Sequence, residues 1–160
     1  MSMADLERAF ALIKEHGSQA SFVGRRPKLL IRAAEKALGL KMPPSYRRFL
    51  NELGAGNFGA AEIYGVIDAD FERSSVPDGV WFTMRAREED KLPKDLVVIG
   101  AEDDEITCLA VHAGAAAKDE AEVIVINAGE DKKRVGARTI APDFGSYLLT
   151  RVEEELEAVQ

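Results

Sequence analysis

The chain is poor in the residue types that most often carry chemistry: one cysteine, Cys108, and two histidines, His16 and His112, in 160 residues. A lone cysteine excludes an internal disulfide and fits a reducing compartment. Neither histidine has a ligand-type residue three or four positions on, so a zinc pattern is missing. No apolar run approaches the ~20 residues needed to cross a bilayer, and the N-terminus lacks the basic-then-apolar layout of a secretory signal. A cytoplasmic protein is therefore expected. Positive charge is in deficit as well, 21 Lys and Arg against 28 Asp and Glu for a net −7, which argues against a general nucleic-acid binder, because such proteins neutralise phosphates with cations. Repeats and low-complexity segments are absent, so residues 1–160 read as a single domain. At this length about two thirds of the unfolded surface can be buried without a metal or disulfide staple.

What is present centres on residues 38–67. Gly39 is placed to end one helix in a left-handed conformation, and Pro43-Pro44 can open the next, since proline lacks the N–H that a first helical turn leaves unpaired. Tyr46, Phe49, Leu50 and Leu53 then fall at i, i+3, i+4, i+7, one apolar face of a short helix, with Arg47 and Arg48 off it. Gly54, Gly56 and Gly59 tolerate positive φ in the turn that follows, and Ile63, Tyr64, Val66 and Ile67 read as the first strand. Two helices precede this stretch. The first covers residues 2–16, with a weak Ser2/Asp5 capping box and Leu6, Ala9, Phe10 and Ile13 on one face. The second starts at Pro27 and shows Leu30, Ala33, Ala34, Ala37 and Leu38 as its apolar stripe. Residues 18–26 have no period and read as a loop.

Downstream, Pro77-Asp78-Gly79 is a turn in which glycine would accept the left-handed region, while residues 80–90 fit a helix or an irregular strand equally by period. The apolar β-branched run 96–99 reads as a buried strand, as do 106–111 and 123–126, and a polar hairpin at Gly129-Glu130-Asp131-Lys132-Lys133 leads into a further strand, 135–140. Short links imply antiparallel pairing. The last helix follows Pro142, is capped by Asp143, and repeats Phe144, Leu148, Val152 and Leu156 every four residues. Helices, then a mainly antiparallel sheet of four to six strands, then a closing helix make an α+β domain.

Catalytic candidates are few. His16 and His112 read as structural, Cys108 as a buried inert thiol in an apolar strand. The glycine-rich segment 54–59 follows a helix and precedes a strand, the reverse of a dinucleotide or P-loop arrangement, and it has no P-loop lysine. Asp68, Asp70 and Glu72 alternate, but the glycine and distal glutamate of a calcium loop are missing. A solvated loop is the simpler reading, and no metal or cofactor is expected. Charge, by contrast, is unevenly spread: residues 1–60 sum to +5, 61–105 to −8 and the remainder to −4. An acidic surface from the middle of the chain would speed encounter with a basic partner. Trp81, in the same third, is either core or a partly exposed anchor of the kind enriched at binding hot spots.

The order Leu38-Gly39-Leu40, Pro44 to Leu50, the glycine turn and Ile63-Tyr64-Gly65, followed by Leu92-Pro93, Leu96 to Gly100, Cys108-Leu109 and Phe144 to Leu149, resembles the SMI1/KNR4 family, also called the SUKH superfamily, over roughly residues 29–156. The weight lies in order and spacing. One departure is the turn Glu102-Asp103-Asp104-Glu105, acidic where that family usually has glycines. The resemblance implies a helix at 80–90 and a non-enzymatic protein-binding domain. It further implies an immunity protein that neutralises a toxin, often a nuclease, by occlusion, or else a regulatory scaffold in cell-wall signalling. Combined with the charge distribution, it places the expected contact on Asp68, Asp70, Glu72, Trp81, Glu102, Asp103, Asp104 and Glu105, against a basic protein partner rather than nucleic acid or membrane. Nothing in the sequence selects an oligomeric state.

Overall fold

A computed structural model describes residues 2–112, 114–116, 118–127 and 137–159. The expected polar hairpin at 129–133 lies outside the described residues. Helix α1 (Ser2–Glu15) is followed by a short strand β1 (Ala20–Phe22), α2 (Lys28–Leu38), α3 (Pro44–Glu52), strands β2 (Gly56–Phe58) and β3 (Ala61–Ile63), α4 (Gly79–Asp90), strands β4 (Leu96–Glu102), β5 (Glu105–Ala110), β6 (Glu122–Asn127) and β7 (Arg138–Ala141), and α5 (Phe144–Ala158). The α+β architecture with helices first and a closing helix is as expected. The strands divide into two antiparallel sheets, β1-β2-β3 and β4-β5-β6-β7.

Both faces of the larger sheet are covered. Val97, Ile99, Leu109, Val111 and Val123 pack with α1, α2, α3 and α5, whereas Leu96, Val98, Ile106, Cys108, Ile124 and Ile126 pack with Tyr64, Phe82 and Ala86 on the α4 side. Two-sided burial is why these strands read as continuous apolar runs instead of alternating ones. Under the first face, Phe49 stacks 6.1 Å from Tyr46 and sits 5.2 Å from Phe144 and 6.0 Å, edge-on, from Phe22. Three elements, α3, α5 and β1, thus meet on one ring.

Several local expectations hold. Gly39 ends α2 with φ 72° and Pro44 opens α3. Gly54, Gly56 and Gly59 all take positive φ. Asp143 caps α5 by accepting from the Ser146 amide at 2.8 Å. Residues 80–90 are helical, as the resemblance implied.

Others change. Residues 20–22, expected as loop, form β1, because Ser21 and its neighbours pair with the segment around Asn57, itself expected as a turn. Three-residue strands carry no readable period, so only their tertiary partners define them. The expected first strand ends at Ile63, the last residue of β3: Tyr64, next along, donates its amide to Ile99 O at 2.8 Å, where a bulge interrupts the β4–β5 register, and so joins the two sheets. On α2 the buried residues are Ile31, Ala34 and Leu38, while Ala33 and Ala37 are exposed; the helix rotates to bury isoleucine, whose side chain removes more apolar area from water than alanine's. Ser2 does not cap α1 but donates to Glu120, and Asp5 accepts from Ser146 Oγ. Gly79 is the first residue of α4, not a left-handed turn residue; a Cβ there would lie 2.7 Å from Val98 O.

Glu120 had no assigned role in the sequence. It accepts from Ser2 Oγ (2.8 Å), Ser45 Oγ (2.8 Å) and the Ser45 amide (3.1 Å), and Ser45 Oγ accepts in turn from the Gly145 amide. One carboxylate therefore ties the β5–β6 connection to the starts of α1 and α3, and through Ser45 to α5. Because Phe49 is fully buried among the other aromatic rings, Phe49→Ala should cost about 3–5 kcal/mol of unfolding free energy, measured by urea denaturation.

Candidate protein-binding surface

Asp68, Asp70 and Glu72 lie exposed on the connection from β3 to α4, which is built of turns and bends. Asp68 Oδ1 accepts from the Asp70 amide at 2.9 Å and Asp70 Oδ1 from the Arg73 amide at 3.2 Å, so two of the three carboxylates shape their own loop while facing solvent. The strand geometry that would have aligned all three is not formed.

This loop ends at Asp78, which the sequence marked only as a turn residue. Asp78 is buried and caps α4, its Oδ1 accepting from the Val80 and Trp81 amides, each at 3.0 Å. Burial raises its pKa. The two amide bonds and the Ser74 hydroxyl oppose that shift by favouring the charged form, while the Asp68 charge reinforces it. Just beneath, Tyr46 donates its hydroxyl to Tyr64 O at 2.8 Å, and burial together with the Asp78 charge pushes its phenol far up. Thr83 completes the seat of α4: its hydroxyl donates to Gly79 O at 2.6 Å and accepts from the Val98 amide at 2.9 Å.

Trp81 sits half-buried in the first turn of α4. The Arg85 guanidinium lies 5.3 Å from its ring centroid and Phe82 meets it edge-on at 6.5 Å. With Phe82, Arg85 and Glu89 it lines a shallow cavity of about 130 Å³. An amphipathic ring with one open edge next to carboxylates is the kind of group that anchors protein contacts.

Glu102, Asp103, Asp104 and Glu105 form the β4–β5 hairpin, closed by the Glu102↔Glu105 pair with Asp103 at φ 54°. Aspartate tolerates this left-handed conformation better than most residues, which lets a turn without glycine form. Glu105 is tied down by Arg138, whose Nη1 and Nη2 donate at 2.6 and 3.2 Å; this pair holds Glu105 below the usual carboxylate range. Among the described residues no ion pair reaches Glu102, Asp103 or Asp104. Burial raises the Tyr147 phenol, with Arg151 and Thr107 opposing and the Glu102 charge reinforcing the shift, so Glu102 stands beside α5. The two acidic segments have different neighbours but a common root: Tyr64 and Ile99, bonded to each other, lie four residues before Asp68 and three before Glu102.

The remaining chemical candidates are separated. Cys108 is fully buried within the sheet. His112 lies on the rim of a groove of about 1010 Å³ between α2, α4 and the start of β4, where no hydroxyl or thiol stands among the described lining residues. Among the described residues no group of three or more His, Cys, Asp or Glu could hold a metal ion, and no helix is long and apolar enough to cross a membrane.

Such an arrangement defines a class: an α+β domain that presents charged, preformed surfaces on a doubly covered sheet. The chain belongs to the SMI1-KNR4 cell-wall family, whose sequence pattern matches residues 6–153. No curated protein matches the chain. Family membership supports a protein-binding domain of the immunity type.

Asp78 supplies a pH test. Its folded pKa lies above the unfolded value of about 3.9, so the folded state holds a proton that the unfolded state has lost, and stability falls as pH rises from there through the folded pKa. Asp78→Asn keeps the Oδ1 acceptor for both amides and removes the titration, so urea midpoints should lose this decline with pH; Asp78→Ala should lose it too and lie about 1 kcal/mol below Asp78→Asn at every pH through the lost cap.

Proposed function

We propose that this domain is an immunity protein that binds a cognate basic toxin, a nuclease fitting best, and neutralises it by covering its working surface. It is read as a binding module and not as an enzyme, acting in the cytoplasm. The contact comprises Asp68, Asp70, Glu72, Trp81, Glu102, Asp103, Asp104 and Glu105, with Glu105 contributing less charge because Arg138 already engages it. The observation that carries the reading is the hairpin, where three carboxylates without an ion pair among the described residues are displayed on strands anchored in the core. A nuclease surface built to hold phosphates is basic, and close charge pairs across inhibitor interfaces are coupled by about 1.5–7 kcal/mol. A surface already ordered before binding avoids most of the cost of ordering it.

The family's description refers to the cell wall, and this favours a second reading: a scaffold that docks endogenous proteins of wall synthesis or signalling. The two readings separate in an affinity pull-down from lysate of the source organism, washed at low and then raised salt. One basic nuclease-like protein, eluting as salt rises, is expected; endogenous wall or signalling proteins alone would replace the toxin reading with the scaffold. With the partner in hand, charge reversal at Asp103 and Asp104 should slow association roughly tenfold or more at low salt and flatten its salt dependence. Asp103→Asn with Asp104→Asn, which preserves the left-handed turn, should give a smaller effect of the same sign in stopped-flow measurements. Unchanged association would remove the hairpin from the contact.

A further inference from the structure

On a chain of net charge −7, the groove of about 1010 Å³ between α2, α4 and the start of β4 is basic. Arg32, Lys36, Lys41, Arg87 and Lys94 line it, five of the chain's 21 Lys and Arg, together with His112; the acidic lining residues are Glu35 and Asp95. Glu35 is already engaged, its Oε2 accepting from the Met42 amide at 2.6 Å and lying 3.4 Å from Arg47 Nη2. Arg87 is a fixed strut. Its Nη1 donates to Leu38 O and its Nη2 to Lys94 O, both at 2.8 Å, which clamps α4 to the end of α2 and to the segment entering β4.

Among the described residues the other four cations are uncommitted. No ion pair reaches Arg32, Lys36, Lys41 or Lys94 among the described residues, whereas Arg25, Arg48, Arg85, Arg138 and Arg151 all have carboxylate partners. Arg32 and Lys36 stand at i and i+4 on α2, a like-charge spacing that destabilises a helix slightly. The helix dipole explains a cation in the last turn, which accounts for Lys36 and not for Arg32 or Lys94. Between the charges, Leu38, Leu40 and Val111 provide an apolar floor.

We propose that this groove is a docking site for a short acidic peptide segment of a partner protein, distinct from the acidic surface and independent of whether that surface binds a toxin. The carboxylates of the segment lie on Arg32, Lys36, Lys41 and Lys94, and its small apolar side chains on the Leu38–Leu40 floor. Three observations favour a peptide over a phosphate ligand. The volume stands at the top of the ~300–1,000 Å³ range of small-molecule sites, larger than a compact anion fills. The charges are spread along the groove and are mostly lysines, not gathered into a cradle of amides or bidentate arginines. Finally, the end of α2 at the groove is its C-terminus, where a helix presents carbonyls. Glu35 O and Leu38 O are already bonded by the Gly39 and Leu40 amides and by Arg87, and a peptide backbone brings N–H donors to the others; a phosphodiester brings only acceptors and belongs at the opposite helix end. A nucleic-acid strand leaving the groove would also meet the acidic middle of the chain.

The test is fluorescence anisotropy with a short fluorescein-labelled peptide alternating Glu and Ala, beside a control in which Gln replaces Glu. The acidic peptide should bind the full chain at low salt, weaken as salt rises, and lose roughly tenfold or more in affinity with Lys36→Ala plus Lys94→Ala, an effect of about 1.4 kcal/mol or more. Both lysines are exposed, and an unchanged thermal melt confirms that the variant folds. Asp103→Asn with Asp104→Asn, at the opposite end of β4 from Lys94, should leave peptide affinity unchanged. Equal binding of the Gln control, no binding at low salt, or an unaltered affinity in the lysine variant would overturn the proposal. Displacement of the peptide by tripolyphosphate or single-stranded DNA at lower concentration than by unlabelled peptide would reassign the groove to phosphates. Concentration-dependent self-association lost in the lysine variant would reassign it to a second copy of the chain.

Discussion

Covering a sheet on both faces is the constraint from which the rest of this molecule follows. Strands β4, β5 and β6 bury alternate residues in opposite directions, so neither face tolerates a polar side chain without a partner. Helices α1, α3 and α5 close one side around the Phe49, Tyr46 and Phe144 rings, and α4 closes the other. Helix α4 cannot reach its place by apolar contact alone, because its own burial is modest. Polar ties set it: Asp78 on its first amides, Thr83 to the Val98 amide, and Arg87 to Leu38 O and Lys94 O.

A second consequence concerns where charge can go. With the sheet interior and most helix faces apolar, ionised groups are confined to loops, hairpin tips and helix ends. Most arginines outside the groove find carboxylates nearby, and exposed pairs of this kind contribute little to stability. The informative charges are those left over. Carboxylates remain at Glu102 to Asp104 and along the loop before α4, and cations remain around the carbonyl end of α2. Surfaces of opposite sign on one small domain give it two electrostatically distinct ways to meet other molecules, and each would strengthen or weaken with salt in the same way while selecting opposite partners.

Glycine has a narrower role than its frequency suggests. At Gly65 a Cβ would lie 1.8 Å from Gly54 O, so the chain passes there only because no side chain exists. That close passage brings the start of the glycine-rich turn against the start of the acidic loop, and it helps to place the common root from which the proposed contact surface extends.

How much of this could be read from residues alone depends on the range of the forces involved. Local rules sufficed for the stop at Gly39, the start at Pro44, the cap at Asp143, the apolar faces of α3 and α5, and the buried strands β4, β5 and β6, because propensity, capping and two-sided burial each leave a mark within a few residues. The acidic hairpin and the neighbourhood of Trp81 were visible for the same reason, as runs of like residues. What only tertiary structure decided is pairing over distance. Strands β1 and β2 are too short to carry a period and exist because they pair with each other; Ile31 wins burial over Ala33 and Ala37 because the packed helices offer one large apolar site. Glu120 meets Ser2 and Ser45, Asp78 becomes a buried cap instead of a surface turn, and Arg32, Lys36, Lys41 and Lys94 converge from three segments into one groove. Separations of tens of residues leave no pattern in a linear chain, since a hydrogen bond or a shared field depends on distance in space, and that distance is set only once the sheet is covered.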